Sequence, residues 1–164
     1  MNILFDERLD GELVQRDKSE VLSDLQQAVP DMTLLHREED LRPFECDGLA
    51  AYRVLPMLVA LPETLEQVKG LLKRCYALGV PVVTRGAGTG LSGGALPLEQ
   101  GVLLVMSRFS KILSVDPDAR MARVQPGVRN LAISEAAAPY GLYYAPDPSS
   151  QIACSIGGNV AENA

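Results

Sequence analysis

Apolar residues recur at helical spacing in two stretches of the chain. The first predicted helix covers residues 18–29, KSEVLSDLQQAV, in which five apolar side chains share one face. Asp17 is placed to cap this helix, and Pro30 follows its end. The second predicted helix begins with the capping box T-L-E-Q at Thr64–Gln67 and ends near Gly79, a residue suited to a C-terminal cap.

Short continuous apolar runs predict buried strands around the second helix. The runs are MLVAL at 57–61, PVVT at 81–84 and VLLVM at 102–106. Because a helix connects the first two runs, we expect them to form a parallel pair with a right-handed crossover. The pattern therefore predicts a mixed α+β fold.

The rest of the chain shows weaker patterns. KILSV and ARVQPG flank a DPDA turn and predict a hairpin. Residues 130–138, NLAISEAAA, predict a short helix, whereas residues 38–56 are typical of an irregular connector. We therefore divide the chain into residues 1–52, an N-terminal helix and connector, and residues 53–164, the main domain.

Composition narrows the classes of function. The chain has 164 residues, enough for one ordinary domain, and its 15 basic and 21 acidic residues leave a net charge of -6. This acidity argues against a nucleic-acid partner. The N-terminus lacks a signal-peptide pattern and no apolar run approaches a membrane span, which predicts a cytoplasmic protein. The 3 cysteines have no metal-site or redox-pair spacing, so no metal site is expected.

The stretch Thr84–Ala95, TRGAGTGLSGGA, follows directly on a predicted strand and contains five of the 14 glycines. GTGLSG matches G-x-G-x-x-G, but Pro97 and Gly101 leave no room for the long helix that a Rossmann dinucleotide site requires. A glycine loop between strands can instead form a nest of backbone amides for a pyrophosphate, with Arg85 adding positive charge. A tight turn without a ligand is the alternative.

Two motifs together resemble a known family. PVVTRGAGTGLSGGA and the downstream APDPSSQIACSIGGNVAEN resemble the flavin domain of the vanillyl-alcohol oxidase/p-cresol methylhydroxylase superfamily. RPFECDGLAAYR, LPETLEQV and QPGVRNLAISEAAAPYGLYYAPDPSS are similar to the FAD-binding D subunits of bacterial glycolate oxidases, beside the FAD-linked D-lactate dehydrogenases. The resemblance implies a p-cresol methylhydroxylase-type FAD-binding domain in residues 53–164, truncated at its C-terminal side, with the first subdomain and the start of the second.

The resemblance also implies the residues that face FAD. They are Arg85, Gly86, Ala87, Gly88, Thr89, Gly90, Gly93, Gly94, Asp147, Ser150, Ser155, Gly157, Gly158 and Asn159. Ser155 is expected to cap a turn whose bare amides face the pyrophosphate. Relatives with a covalent flavin carry histidine at the place of Thr89, so FAD is expected to be non-covalent here.

The implied reaction is oxidation of a 2-hydroxy acid, glycolate or D-lactate, to a 2-oxo acid, with hydride transfer to flavin N5. The family continues past SIGGNVAENA, so catalytic and metal residues are expected outside these residues and the chain alone is expected to be inactive. Implied partners are a second flavin-domain subunit and an iron–sulfur subunit, which would place the protein at the inner membrane peripherally. A non-catalytic nucleotide-binding or subunit-assembly module is the alternative.

Overall fold

The computed structural model describes residues 15–163. Its centre is a four-stranded sheet in the order β1–β2–β4–β3. The strands are β1 (Thr33–Leu35), β2 (Leu58–Leu61), β3 (Val82–Arg85) and β4 (Val102–Val105). Strands β2, β4 and β3 run parallel, and β1 pairs antiparallel with β2.

The strand order corrects the expectation that β2 and β3 are neighbours. Strand β4 lies between them and pairs with both. Every residue of β2 and β4 is buried, whereas β3 at the sheet edge is only partly buried. A parallel strand covered on both faces reads as a continuous apolar run, and VLLV of β4 is such a run. The burial pattern therefore agrees with the position of β4 between β2 and β3.

Five helices are described. They are α1 (Lys18–Ala28), α2 (Glu38–Leu41), α3 (Leu65–Leu78), α4 (Asn130–Ala137) and α5 (Ile156–Glu162). The predicted N-terminal caps of α1 and α3 are present: Asp17 Oδ1 accepts the Ser19 and Glu20 amides at 2.8 and 3.1 Å, and the Thr64–Gln67 capping box is complete. Gly79 ends α3 in the left-handed conformation, with φ 67°.

The sheet has an apolar cluster on each face. Helices α1 and α3 cover one face with Val21, Leu25, Leu71 and Cys75. The opposite cluster includes Leu41, which is 2% exposed. Leu41 ends α2 and is followed by a 3₁₀ turn at Arg42–Phe44, so the expectation of an irregular connector over 38–56 was wrong at its start. The burial of Leu41 explains why this part of the chain is ordered.

The second part of the chain begins with the predicted hairpin, which is confirmed as β5 (Ile112–Asp116) and β6 (Met121–Val124). Helix α4 follows, and an isolated bridge between Arg129 and Ser155 places its start beside the start of α5. No helix within residues 15–163 is long and apolar enough to cross a membrane.

Candidate functional site

A cavity of about 510 Å³ lies where the glycine loop meets the segment around α5. The loop leaves the carboxyl end of β3, which is the edge at which open α/β sheets bind ligands. Most residues implied by the resemblance line this cavity: Gly86, Ala87, Gly88, Thr89, Gly90, Gly94, Ser150, Ser155, Gly157, Gly158 and Asn159. The two glycine motifs, far apart in sequence, therefore face one space.

The loop presents backbone donors without protein acceptors. Within the described part of the chain, the amides of residues 87–94 donate no hydrogen bond to protein. The loop adopts no regular secondary structure, and Gly88 and Gly93 have φ of 73° and 76°. Amides left unpaired beside a cavity are suited to an anion, because unpaired backbone donors are otherwise rare when shielded from water.

Ser155 supplies a side-chain donor at the opposite wall. Its Oγ is buried and has no hydrogen-bond partner within residues 15–163, and a Cβ built on Gly86 would stand 2.2 Å from it. A buried hydroxyl without a partner is costly unless a ligand satisfies it. Gly86 is thus the point of closest approach between the motifs, and Ser155 Oγ fits a phosphate oxygen.

The expected cap at α5 is absent, which corrects the sequence analysis. Ser155 makes no side-chain capping bond, because its Oγ points toward Gly86 instead. The amides of Ile156 and Gly157 donate to the carbonyls of Val128 and Pro126, each at 2.8 Å. These two amides are therefore occupied, and of the expected bare amides after Ser155 only that of Gly158 has no such bond among the described residues.

Asn159 has a structural role within the second wall. Its Oδ1 accepts from Asn130 Nδ2 at 3.3 Å, and its Nδ2 donates to Cys154 Sγ at 3.4 Å. Both asparagines are buried, so their mutual hydrogen bond satisfies polar groups that water cannot reach. The side chain of Asn159 thus joins α5 to α4.

Three of the implied residues lie outside the cavity lining. Asp147 is exposed in the loop before α5, and Gly93 faces Leu49 at 3.7 Å from a built Cβ. Arg85 donates from Nη1 to the carbonyl of Cys46 at 2.5 Å, and its guanidinium carbon lies 5.9 Å from the centre of the Phe44 ring. The structure thus directs the Arg85 side chain toward the connector.

Several lining residues are not among those that the resemblance implies. Met106 follows β4, and Pro126 lies shortly after β6; both line the cavity. Glu162 lies at the end of α5 with Oε1 3.0 Å from a Cβ built on Gly94. Pro126 and Glu162 lie within stretches that carry the resemblance, and Met106 ends an apolar run, but the sequence analysis assigned none of the three to the site.

The cavity holds few ionisable groups. The chain's only histidine, His36, is exposed and lies outside the cavity, as does every Lys and Arg of the described residues. Among residues 15–163 no group of three or more His, Cys, Asp or Glu side chains could hold a metal ion. What the arrangement offers is anion binding through amides and a hydroxyl.

A second cavity of about 310 Å³ lies away from both motifs. Side chains of both charges border it, including Arg16, Lys18, Glu38 and Glu99. It contains no glycine-loop residue, so it does not share the chemistry of the first cavity.

The sheet, the glycine loop and the unpaired donors define a domain that binds a phosphate-bearing cofactor. Residues 56–164 match the family described as FAD binding domain. The chain therefore belongs to this FAD-binding family, and FAD is its cofactor. The unpaired loop amides and Ser155 Oγ fit the pyrophosphate of that cofactor.

Similar proteins agree with this assignment. The chain is 66% identical over 164 residues to the glycolate oxidase subunit GlcD of Escherichia coli strain K12, covering all of this chain and 33% of that protein. It is 35% identical over 122 residues to a D-lactate dehydrogenase of Anaerostipes hadrus, covering 74% of this chain and 26% of that protein. The chain thus spans about a quarter to a third of the length of these relatives.

The fold is shared with a protein of solved structure. The structure of p-cresol methylhydroxylase with substrate bound superposes with a TM-score of 0.64 and 24% identity, over 76% of this chain and 25% of that chain. The prediction of a mixed α+β fold of the p-cresol methylhydroxylase type is confirmed.

Proposed function

We propose that this chain forms the cofactor-binding part of an FAD-dependent oxidoreductase that converts a 2-hydroxy acid, glycolate or D-lactate, to a 2-oxo acid. The observation that carries the proposal is Ser155 Oγ, which is buried and, within residues 15–163, has no partner and lies opposite a loop of unpaired amides. The 66% identity to a glycolate oxidase subunit supports the substrate class. When bound at this site, FAD would supply the hydride acceptor for the oxidation.

The residues of this chain bind and orient the cofactor. The amides of the loop residues that line the cavity and Ser155 Oγ hold the pyrophosphate. Gly86 leaves room for Ser155 Oγ, and Gly90 keeps side-chain atoms out of the way of the ligand. Thr89 lines the cavity and cannot attach a flavin as histidine does, so binding is non-covalent. Gly93 and Arg85 shape the loop from outside the cavity, and Asp147 lies on the segment that leads to Ser150.

The group that removes the substrate hydroxyl proton lies outside the described residues. The cavity contains no histidine, and the one carboxylate that lines it among the described residues, Glu162, lies beside the glycine loop. A glycolate or D-lactate carboxylate also needs a cation, which this cavity does not supply from residues 15–163. The catalytic residues are therefore expected in the larger part of the protein that the relatives have.

We further propose that the protein works with other subunits. The relative at 66% identity is itself named as a subunit, which supports assembly with partner chains. A second flavin-domain subunit and an iron–sulfur subunit would carry electrons away from the flavin and hold a cytoplasmic protein at the inner membrane. Co-purification of the complete protein from its own cells, followed by iron and labile-sulfide analysis, tests this assembly.

The visible spectrum of the complete purified protein tests the central proposal. The expected result is the two-band absorption of an oxidised flavin, bleached by glycolate or D-lactate without oxygen. A protein that binds FAD but is bleached by neither acid would favour the non-catalytic nucleotide-binding or assembly module. A protein without flavin, and unable to take up added FAD, would contradict the proposal.

A further inference from the structure

The connector segment 44–49 lies directly behind the glycine loop. A Cβ built on Gly48 would stand 2.7 Å from the carbonyl oxygen of Gly90 and 2.8 Å from that of Thr89. The φ of Gly48 is not in the left-handed region, so contact with the loop is what requires glycine here. The loop carbonyls thus rest on the connector, whereas the cavity lies on another side of the loop.

Asp47 joins the connector to the far end of the loop. Its side chain is buried at 6% exposure. Oδ1 accepts the Leu49 amide at 2.9 Å, and Oδ2 accepts the Ala95 amide at 3.4 Å. Because one carboxylate bonds both segments, it fixes where the loop ends relative to the connector. The bond to a carboxylate is stronger than one between neutral groups.

Arg85 joins the connector to the near end of the loop. Its hydrogen bond to Cys46 spans 39 residues of sequence. A Cβ built on Gly88 would lie 2.2 Å from Arg85 Nη2, so the guanidinium fills the space under this turn. Burial lowers the pKa of Arg85, and the charge of Asp47 acts against that shift. Arg85 and Asp47 thus hold opposite ends of one loop.

We propose that Asp47 and Arg85 are positioning residues that hold the glycine loop in its pyrophosphate-binding shape from behind, without contacting the phosphates. This inference rests on the proposed FAD site and names two residues that act through the loop. Its physical basis is that unpaired amides converge only if something else fixes the loop, and the connector supplies the bonds that fix its two ends. It also assigns Arg85 a role distinct from phosphate neutralisation.

The test uses the complete protein, stripped of flavin, with FAD added back. Asp47→Ala and Arg85→Gln are each expected to weaken FAD binding about tenfold to a hundredfold, because each removes a bond that fixes the loop. Asp47→Asn keeps the shape of the side chain and one acceptor oxygen, so its FAD affinity should fall less than that of Asp47→Ala. It also keeps the test informative if Asp47→Ala fails to fold. Arg53→Gln is the matched control, since Arg53 pairs with Glu45 in the same connector but is 64% exposed.

The salt dependence of FAD affinity separates positioning from direct phosphate contact. A guanidinium paired with phosphate adds a salt-sensitive attraction. Arg85→Gln should therefore weaken binding without changing the slope of affinity against salt concentration. The variant that combines Asp47→Ala with Arg85→Gln should lose less FAD affinity than the product of the two single fold-changes, because both residues act on one loop.

The outcomes separate the positioning role from the FAD site itself. Wild-type FAD affinity in folded Asp47→Ala, or a shallower salt slope in Arg85→Gln, would overturn the inference and leave the FAD site standing. Failure of the unmodified protein to bind FAD would instead overturn the proposed function.

Discussion

At the scale of single residues, two loop glycines need to be glycine for different reasons. Gly90 has an ordinary φ, and a Cβ built on it meets no protein atom within 4 Å, although the residue lines the cavity. Gly88 has φ of 73°, and its Cβ would meet the Arg85 guanidinium. Only the ligand, therefore, would oppose a side chain at Gly90, whereas the fold itself opposes one at Gly88.

Gly90→Ala should leave the apoprotein as stable as before and weaken FAD binding about tenfold or more. The methyl group would occupy space that the pyrophosphate needs. Gly88→Ala is the matched control and should lower the melting temperature of the apoprotein, because the left-handed conformation and Arg85 both oppose it. Thermal melting of the apoprotein and FAD titration measure the two effects. An unchanged FAD affinity in Gly90→Ala would show that the loop does not face the pyrophosphate.

Ser155→Ala should weaken FAD binding about tenfold to a hundredfold while leaving apoprotein stability unchanged or slightly raised. The reason is that its Oγ makes no bond within the described residues and is buried. Ser134→Ala is the control, since Ser134 Oγ accepts the Tyr144 amide at 3.0 Å and lies outside the cavity. That variant should lose stability and keep its FAD affinity. The opposite pattern in the two variants would contradict the role of Ser155.

Bound FAD should be released by acid. Thr89 stands where relatives with a covalent flavin have histidine, and neither glycine motif contains a histidine. Acid precipitation of the flavin-loaded protein is therefore expected to leave the yellow colour in the supernatant. Colour that stays in the washed pellet would show a covalent bond.

At the scale of elements, helix α3 packs against one face of the sheet and places a titratable group, the thiol of Cys75, in the core. Cys75 is fully buried, and burial raises the pKa of its thiol from 9.0 to about 11. The thiol has a higher pKa in the folded protein than in the unfolded chain. Its contribution to the free energy of unfolding is therefore fully present below the unfolded pKa. It is lost as the pH rises toward 11, because the unfolded chain then gains the thiolate.

The free energy of unfolding should fall by up to about 3 kcal/mol between about pH 9 and 11 through this group. Urea unfolding across that range measures the loss. Cys75→Val is the control, because it keeps an apolar side chain and removes the titrating thiol. Its free energy of unfolding should fall less over the same pH range, by the amount that the thiol contributes. Equal pH dependence in both proteins would show that Cys75 does not titrate as described.

Elements specified by local interactions could be predicted from the sequence. Helix α3 has its start in the Thr64–Gln67 capping box and its end in Gly79, all within one short stretch. Strand β1 could not be predicted, because three residues carry too short a pattern and its place depends on pairing with β2. The order of β3 and β4 likewise depends on which strand is covered on both faces.

In the candidate site too, features set by local sequence could be predicted, and features set by distant contacts could not. Composition and spacing identified both glycine motifs, and the resemblance placed them together on one cofactor. The direction of the Arg85 side chain and the free Oγ of Ser155 depend on contacts with residues far away in sequence, Cys46 and Gly86. Contacts of that kind are absent from any local pattern, so the sequence assigned Arg85 to the phosphates and Ser155 to a cap.

At the scale of the whole molecule, the two walls of the cavity differ in how they are supported. The glycine loop rests on the four-stranded sheet and its two apolar clusters. The second wall is held to the start of α4 by hydrogen bonds, from the Asn130 amide to Cys154 and between the side chains of Asn130 and Asn159. Large apolar side chains are exposed in this second part of the chain: Leu113 at 52%, Met121 at 65%, Ile152 at 69% and Val160 at 75%. Such a surface favours association or cover by further protein.

The 164-residue chain by itself should therefore bind FAD weakly and oxidise neither glycolate nor D-lactate. Fixing the second wall on the ligand costs about 1–2 kcal/mol for each backbone residue that must be ordered, and each 1.4 kcal/mol weakens binding about tenfold. The cavity also supplies no histidine, lysine or arginine from the described residues for the substrate. Flavin fluorescence titration and a substrate-dependent dye-reduction assay, with the complete protein as the control, measure both properties. Sub-micromolar FAD binding with glycolate-dependent reduction by the isolated chain would show that its own residues complete the active site.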